Sequence, residues 1–334
     1  MATIYQVSAL AGVSLSTVSR VMNNHEHVSE KTKIKVKQAM EQLDYRPNSI
    51  AQSLASSRSN SVGVLVSELH GPFYGVMLTG IEAELRTAEK HVIIAAGRSD
   101  AESEIDGIEF LIARNCDALI LHVDAVSDEY LIELSKGDTP FVLINRYIEE
   151  IADNCICLNI ELGGYIATKY LLEQGHKEFA YISGPLWKED AKARFNGHKL
   201  ALAEANIPFN ENLLFEGNFE TKDGHKGMAE LLAKNTPFTA VVCANDEMAS
   251  GAMKVARDHN ILVPLDCSII GFDNVFFTEY LFPQLSTINY PILEMGHMAA
   301  RWVLKYKYKR DNIEIKNLFE PKLISRESIA EVNH

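Results

Sequence analysis

From residue 62 onward, short apolar runs alternate with longer amphipathic stretches, and this alternation restricts the chain to an α/β fold. Strand–helix alternation favours parallel sheets with helices on both faces. The predicted strands are 62–66, 92–96, 118–123, 141–144, 156–158, 179–182, 239–243 and 268–271. The predicted helices lie near 75–88, 101–115, 161–174, 191–205, 224–234 and 246–259. These eight strands are more than one sheet of modest size would hold. We therefore expect two sheets in two lobes.

The first sixty residues predict a different structure, three short helices. Thr3 and Gln6 form a capping box, Gly12 stops the first helix, and Ser14 and Ser29 cap the next two. Apolar residues at helical spacing supply the buried faces: Ile4, Val7, Ala11 and Val13, then Val18, Val21 and Met22, then Ile34, Val36, Ala39, Met40 and Leu43. Asn23-Asn24 ends the second helix, and Tyr45-Arg46-Pro47 ends the third. Three helices with a tight turn between the first two indicate a helix-turn-helix.

The charge distribution separates these two parts. Residues 1–60 hold seven Lys/Arg and four Asp/Glu, a net charge of +3, and because the whole chain carries −13, the remainder carries −16. Only the first part favours a phosphate backbone, and the acidic remainder is repelled by it. The predicted exposed face of the second helix has side chains suited to phosphates and bases: Leu15, Ser16, Thr17, Ser19 and Arg20. On pattern alone, a small helical cap with a serine-rich surface is the alternative.

Three motifs decide between these alternatives. They are 11–21 (AGVSLSTVSRV), 28–32 (VSEKT) and 45–55 (YRPNSIAQSLA). Together they resemble the signature of the LacI/GalR family of transcription regulators. The resemblance implies that Leu15, Ser16 and Arg20 face base edges and that Thr3, Ser14, Thr17, Ser19 and Asn23 contact the DNA backbone.

The third motif resembles the family's hinge helix, 48–55. At roughly nine residues such a helix is too short to be stable alone in water. The resemblance implies that it forms when paired on DNA, with Asn48 at its start and Leu54 as a wedge in the minor groove. The alternative for Leu54 is an ordinary buried leucine.

The resemblance also implies the domain layout. It predicts a helix-turn-helix domain over 1–46, a hinge helix and linker over 47–60, and an effector-binding and dimerisation body over 61–330. The body is expected to resemble a periplasmic binding protein, with a first lobe of about 61–159 and 291–320 and a second of about 161–288 and 323–330. Three chain crossings near 159–161, 288–291 and 319–323 join the lobes.

Most candidate ligand residues follow predicted strands, because ligands of open α/β sheets bind beyond the carboxyl ends of strands; Arg194 lies at the start of a predicted helix, and Phe219 is a candidate stacking ring. A sugar needs planar polar groups for its hydroxyls and an aromatic ring for its apolar face. The candidates are Phe73, Asn145, Arg194, Phe219, Asn245 and Asp273, and the family match favours Arg194 and Asp273 most.

For other polar and aromatic residues near these positions, the sequence leaves both a structural role and a role at the ligand site open. Asp246 caps the following helix or contacts the ligand, and Arg146 forms a surface or inter-lobe salt bridge. Trp187 is a lid over the cleft or a loop aromatic, and Phe73 itself is a core residue in the alternative to stacking. Asn274 stands where many relatives carry an aspartate, and the segment 98–100 (Arg-Ser-Asp) borders the cleft only as a weaker possibility.

Several function classes are disfavoured. The sequence has no Gly-rich phosphate loop, Gly-x-Ser-x-Gly elbow, His-Glu-x-x-His or dinucleotide fingerprint, so we expect neither an enzyme nor a cofactor. The five cysteines are scattered, and we expect reduced thiols and no metal. No apolar run reaches membrane-spanning length, and no secretion signal begins the chain, which favours a cytoplasmic protein over a transport binding protein.

The expected function is therefore that of a homodimeric regulator, acting as a repressor of carbohydrate genes on a near-palindromic double-stranded operator. The stretches 142–146 and 238–242 most resemble galactose- and glucoside-responsive members, so the expected effector is a small sugar. A purine, a phosphorylated sugar and a partner protein remain as alternative effectors. The sequence fits both an inducer, which releases the DNA, and a corepressor, which strengthens DNA binding.

Overall fold

The computed structural model describes residues 2–22, 27–45 and 58–332. The chain divides after Asn60 into two compact units. Within the described residues, no helix combines the length and the apolar character needed to cross a bilayer.

The N-terminal unit contains the helices α1 (Ile4–Ala11), α2 (Leu15–Met22) and α3 (Glu30–Gln42). The predicted capping box is present, since the backbone N–H of Thr3 donates to Gln6 Oε1 over 2.8 Å. Gly12 ends α1 in the left-handed conformation with φ 64°. The core of the unit consists of Val7, Val18, Val21, Val36 and Ala39. Ile34 was predicted to join this core but is 54% exposed, because it lies on the solvent side of α3.

The body, which begins at Ser61, contains two mostly parallel six-stranded sheets, and the predicted α/β class is confirmed. The first sheet has the order β11-β5-β4-β3-β1-β2, and the second has the order β12-β10-β9-β8-β6-β7. The strands are β1 (Ser61–Val66), β2 (His91–Ala96), β3 (Ala118–Leu121), β4 (Phe141–Ile144), β5 (Cys155–Leu158), β6 (Phe179–Ser183), β7 (Leu214–Glu216), β8 (Ala240–Cys243), β9 (Ser268–Asp273), β10 (Ser286–Asn289), β11 (Leu318–Phe319) and β12 (Lys322–Ile324).

Helices cover both faces of these sheets. The first lobe carries α4 (Pro72–Thr87), α5 (Ala101–Ala113), α6 (Asp128–Leu134) and α11 (Ile292–Tyr306). The second lobe carries α7 (Ile160–Glu173), α8 (Glu189–Glu204), α9 (Thr221–Ala233) and α10 (Asp246–Asp258). The chain passes between the lobes three times, at 158–160, 289–292 and 319–322.

Six helices and strands of the body were not predicted: α6, α11, β7, β10, β11 and β12. The strands among them have two to four residues, too few for a periodic pattern to show. β12 also pairs antiparallel with β10, which the alternation of strands and helices does not predict. These elements follow from tertiary packing, since the last two strands form only where the chain returns to each lobe.

Small residues let α7 and α8 approach closely, and this approach fixes the position of Arg194. Gly164 of α7 lies directly against the backbone of Arg194 in α8, where a Cβ atom would overlap the Arg194 carbonyl oxygen. Gly197 makes the reciprocal approach to Glu161 of α7. Any side chain at either position would push the two helices apart.

We predict that Gly164→Ala destabilises the protein by about 1–3 kcal/mol, because overpacking outweighs the better helix propensity of alanine. Urea unfolding of both proteins measures the difference. Gly75→Ala in α4 is the matched control, since nothing lies within 4 Å of a Cβ atom built there. Equal stability of the two variants would contradict the packing argument.

Candidate functional site

A cavity lies between the two lobes, beyond the carboxyl ends of both sheets. The structure brings all six candidate ligand residues into its lining: Phe73, Asn145, Arg194, Phe219, Asn245 and Asp273. Phe73 and Asn145 come from the first lobe, and the other four come from the second. Four of the six, Phe73, Asn145, Asn245 and Asp273, were chosen because they follow predicted strands, and the fold gathers them with Arg194 and Phe219 at one place.

Arg194 is the buried charged centre of this cavity, with 4% of its side chain exposed. Its Nη1 lies 3.3 Å from Asp273 Oδ1, and its Nη2 lies 3.6 Å from Asp190 Oδ2. Nη1 also donates to the carbonyl of Ala244 at the end of β8. The guanidinium carbon lies 4.2 Å from the centre of the Phe272 ring. These contacts fix the guanidinium plane, while Nε stays buried without a hydrogen-bond partner.

Asp273 ends β9 in a backbone conformation that is rare for a residue with a side chain, φ 107°. Burial raises the pKa of this carboxyl to about 7, although the charge of Arg194 opposes the rise. Its Oδ1 forms the ion pair with Arg194 but has no hydrogen-bond partner. Asn145 and Phe219 also have positive φ values of 65° each. Backbone conformations of this kind cost energy and are concentrated at functional sites.

Asn245 holds the wall of the cavity together. Its Oδ1 accepts from the backbone N–H of Met248 over 2.9 Å and so caps α10, while its Nδ2 donates to the Phe219 carbonyl over 2.8 Å. Both ends of its amide are thus engaged by the protein, and the Phe219 ring packs against Gly184, where a Cβ atom would overlap it. Asn245 therefore positions Phe219 in addition to lining the cavity.

The interpretation of Asp246 as a helix cap is wrong, because Asn245 occupies that position. Asp246 is fully buried; its Oδ1 accepts from the Thr287 hydroxyl over 2.6 Å and its Oδ2 from the Val275 N–H over 2.9 Å. Burial, and then the neighbouring charge of Asp273, raise the pKa of Asp246 well above its usual value. This carboxyl joins the segment that follows β9 to β10, and it does not line the cavity.

Phe73 and Asn145 form the first-lobe side of the cavity. The Phe73 ring packs edge-on against Tyr290, with 5.0 Å between ring centres, and it also borders the main core. It is therefore both a lining residue and a packing residue. Asn145 directly follows β4, and its Oδ1 is buried without a hydrogen-bond partner.

A polar bridge connects the lobes beside the cavity. Lys188 of the second lobe donates to Ser99 Oγ over 2.7 Å and to Asp124 Oδ2 over 3.0 Å, both in the first lobe. Ser67 also donates to Asp124 Oδ2, over 2.9 Å. Burial alone would raise the pKa of Asp124, but His122 and Lys188 outweigh it and hold this pKa at about 2. The carboxylate is thus ionised, and it pairs with the Lys188 ammonium.

Sequence reasoning missed several lining residues, most of them charged: Glu68, His70, Tyr74, His122, Asp124, Lys188, Asp190, Asn218, Glu220 and Glu247. Asp190 precedes Arg194 by one helical turn, so its spacing could have identified it. Asp124 follows β3 as Asn145 follows β4, so the strand-end rule applied to it as well. Lys188 carried no such signal, because its role depends on how close the lobes lie.

The remaining residues singled out by sequence lie outside the lining. Arg146 forms a salt bridge with Asp128 over 2.6 Å within the first lobe. Trp187 is 55% exposed on the loop before α8. Asn274 donates to Asn289 and accepts from Arg326, and it does not face the cavity. Of the segment 98–100, Ser99 joins the bridge to Lys188, and Asp100 caps α5.

In the N-terminal unit, most of the described candidate DNA-contacting residues lie at the start of α2 or along it, and Thr3 is the N-cap of α1. Ser14 accepts from the Thr17 N–H over 3.2 Å and lies within hydrogen-bond distance of the Ser16 and Thr17 hydroxyls. The remaining candidates are exposed or half-buried: Thr3, Leu15, Ser19 and Arg20. The other three candidates, Asn23, Asn48 and Leu54, lie outside the described residues.

Comparison with known proteins gives matches over both units. Residues 3–48 match the family described as bacterial regulatory proteins, lacI family, and residues 168–329 match the periplasmic binding protein-like domain. The transcriptional regulator GalR of Escherichia coli is 39% identical over 330 residues, which is 99% of this chain and 96% of the relative. The ribose operon repressor of Haemophilus influenzae is 34% identical, over 98% of this chain and 99% of the relative.

Among solved structures, the lac repressor dimer bound to operator and the anti-inducer ONPF is similar, with a TM-score of 0.88. The two chains are 27% identical, and the match covers 98% of this chain and 99% of that chain. These similarities extend over the N-terminal unit and the body alike.

The raised pKa of Asp273 predicts a pH dependence of stability. An aspartate in the unfolded chain has a pKa near 3.9. The folded protein therefore binds this proton more tightly, and the stabilisation is lost as pH rises from about 4 through about 7. This titration should lower the free energy of unfolding by a few kcal/mol between about pH 4 and about pH 7. In Asp273→Asn that decrease should be absent.

Urea unfolding of both proteins across this pH range measures the difference. Asp258→Asn on the exposed side of α10 is the control, and its profile should follow the original protein. Parallel curves for the original protein and Asp273→Asn would contradict a raised pKa at Asp273.

Proposed function

The chain belongs to the LacI/GalR family of transcriptional regulators, and on this premise we propose that it represses carbohydrate genes, with an uncharged sugar as its effector. The observation that carries the proposal is a set of three buried polar atoms without partners: Arg194 Nε, Asp273 Oδ1 and Asn145 Oδ1. All three belong to residues that line one cavity. A buried polar atom without a partner costs about 1–3 kcal/mol. A ligand that supplies both donors and acceptors removes this cost.

A sugar fits the chemistry of these atoms. Its hydroxyls can accept from Arg194 Nε and donate to the oxygens of Asp273 and Asn145. The rings of Phe219 and Phe73 border the same space and suit the apolar face of a pyranose or furanose. The planar groups are held in place by ion pairs, a helix cap and close packing, so little ordering is left for ligand binding to impose.

The charges of the lining favour an uncharged ligand over a phosphorylated one. Six carboxyl groups line the cavity against two permanent cations, Lys188 and Arg194. Lys188 pairs with Asp124, and Arg194 pairs with Asp273 and Asp190. A phosphate in this cavity could pair with Lys188 or Arg194 only if one of these ion pairs were broken. It would also be repelled by the remaining carboxylates, Glu68, Glu220 and Glu247.

DNA recognition is assigned to the N-terminal unit. Leu15, Ser16 and Arg20 are proposed to read bases, and Thr3, Ser14, Thr17, Ser19 and Asn23 are proposed to bind the backbone. The family match supports this assignment, as does the net charge of +3 in residues 1–60. Asn48 and Leu54 keep their proposed roles in a hinge helix that forms on DNA.

A homodimer is the proposed assembly. On the second lobe Phe276, Tyr280 and Phe282 are 69%, 82% and 92% exposed, an unusual cost for three aromatic side chains so close in sequence. The similar lac repressor is a dimer in its operator complex. Two copies related by a two-fold axis would present two copies of α2 to a near-palindromic site. Since the relatives are DNA-binding regulators, the proposed location is the cytoplasm.

The test of this function uses DNA sites selected from a random-sequence library by the protein itself. Binding of a selected, labelled duplex is followed by fluorescence anisotropy, with matched pairs of a sugar and its phosphate ester as effectors. Coupling of about 1–3 kcal/mol predicts that one uncharged sugar shifts the DNA affinity by about 5–150-fold, while its phosphate ester does not.

Asp273→Asn and Asp258→Asn distinguish the cavity from the rest of the body. Asp273→Asn should bind DNA normally and lose the response to the sugar, whereas Asp258→Asn should keep both properties. A response only to phosphate esters would contradict the proposed effector class. Failure to select any DNA site would contradict the function as a whole.

Arg20 provides the corresponding test of DNA recognition. Arg20→Ala should weaken binding to the selected site by about 1–3 kcal/mol, since a bidentate arginine–base contact is worth about this much. Affinity for unrelated duplexes should change less, and sugar binding should stay the same. Equal losses on selected and unrelated duplexes would mean that Arg20 contacts only phosphates.

A further inference from the structure

A run of cations follows the last helix of the first lobe. Lys305, Lys307, Lys309 and Arg310 lie within six residues, and Lys309 and Arg310 are exposed. Within the described residues, none of the four forms an ion pair, although Asp138 and Asp153 line a groove that Lys307 and Lys309 also border. Exposed cations elsewhere on the body do pair, for example Lys254 with Asp258. Each of the four side chains is thus without an ion-pair partner in the part of the chain that the structure describes.

The position of this run is fixed by contacts of Tyr308. Its hydroxyl donates to Asp117 Oδ2 over 2.7 Å, and the Asp117 N–H donates to the carbonyl of Ser61 over 2.7 Å. The Lys90 ammonium lies 4.4 Å from the centre of the Tyr308 ring and immediately precedes β2. Lys305, Lys307, Lys309 and Arg310 therefore form one group at the amino edge of the first sheet, here called the amino-edge cluster.

The amino edge is opposite to the ligand cavity and is where the chain enters the body. The cavity lies beyond the carboxyl ends of the same strands, which Asp124 and Asn145 follow. Ser61, the first residue of β1, continues directly from the N-terminal unit. Chain connectivity thus ties this edge of the body to whatever the N-terminal unit binds.

We propose that the amino-edge cluster binds the phosphate backbone of the DNA that the N-terminal unit recognises. This proposal rests on the proposed function. The residues after 60 carry a net charge of −16, so most of the body is repelled by DNA. The four cations of the cluster, which form no ion pair with the described residues, can displace counterions from phosphates and offset this repulsion at the edge where the chain enters the body. The cluster adds affinity without sequence preference, because phosphates carry no base information.

The salt dependence of DNA binding tests this proposal. The logarithm of the binding constant falls linearly with the logarithm of salt concentration, with a slope of about −0.9 for each phosphate contact. The test variant is Lys307→Gln/Lys309→Gln/Arg310→Gln. The control variant is Lys192→Gln/Lys226→Gln/Lys254→Gln, which removes the same charge from exposed helix positions on the second lobe. Each full-length protein is titrated with the selected duplex and with an unrelated duplex at several salt concentrations.

The test variant should show a slope smaller in magnitude by about 1 or more on both duplexes, while the control variant keeps the original slope. Thermal unfolding and sugar binding of the test variant should match the original protein, since these side chains are outside the core and the cavity. An unchanged slope in the test variant, or an equal loss in the control variant, overturns the proposal while the proposed function stands. If the original protein binds no duplex at any salt concentration, both proposals fail.

Discussion

Burial of the Arg194 guanidinium determines most properties of the ligand cavity. A buried charge is tolerated only when it is paired and fixed, and Asp273, Asp190, the Ala244 carbonyl and the Phe272 ring provide this. Burial of Asp273 beside it raises the pKa of that carboxyl although the Arg194 charge opposes the rise, and Arg194 Nε and Asp273 Oδ1 are left without hydrogen-bond partners. The close approach of α7 through Gly164 sets where this charge lies. Packing, electrostatics and unmet hydrogen bonds therefore converge on one side chain.

The distribution of charge over the chain gives each part a different affinity for anions. The N-terminal unit is basic, the body is acidic, and the cavity contains more carboxyl groups than cations. Lys188 and Arg194 are the permanent cations of the lining, and both are engaged by aspartates. Phosphate is thus favoured by the N-terminal unit and disfavoured in the cavity. Such a division suits a regulator that binds DNA with one unit and a neutral small molecule with the other.

Much of this arrangement could be predicted from sequence, and its limits have physical reasons. Asp273 and Asn145 were found because they follow predicted strands, whose carboxyl ends gather at one edge of an open α/β sheet, and Arg194 was found through the resemblance to the family. Asp246 was misassigned because two adjacent polar residues both suit a helix cap, and only tertiary contacts show that Asn245 takes this place. Lys188 was missed because its partners, Ser99 and Asp124, are distant in the chain.

The coupling between DNA and effector is the central claim, and reciprocity of binding tests it most directly. The effector sugar is titrated into the protein alone and into the protein saturated with its selected duplex, and calorimetry gives both affinities. The account predicts that these affinities differ by the same factor by which the saturating sugar changes the affinity for DNA. Identical sugar affinities in the two titrations, alongside normal DNA binding, would show that the cavity and the DNA-binding unit are not coupled.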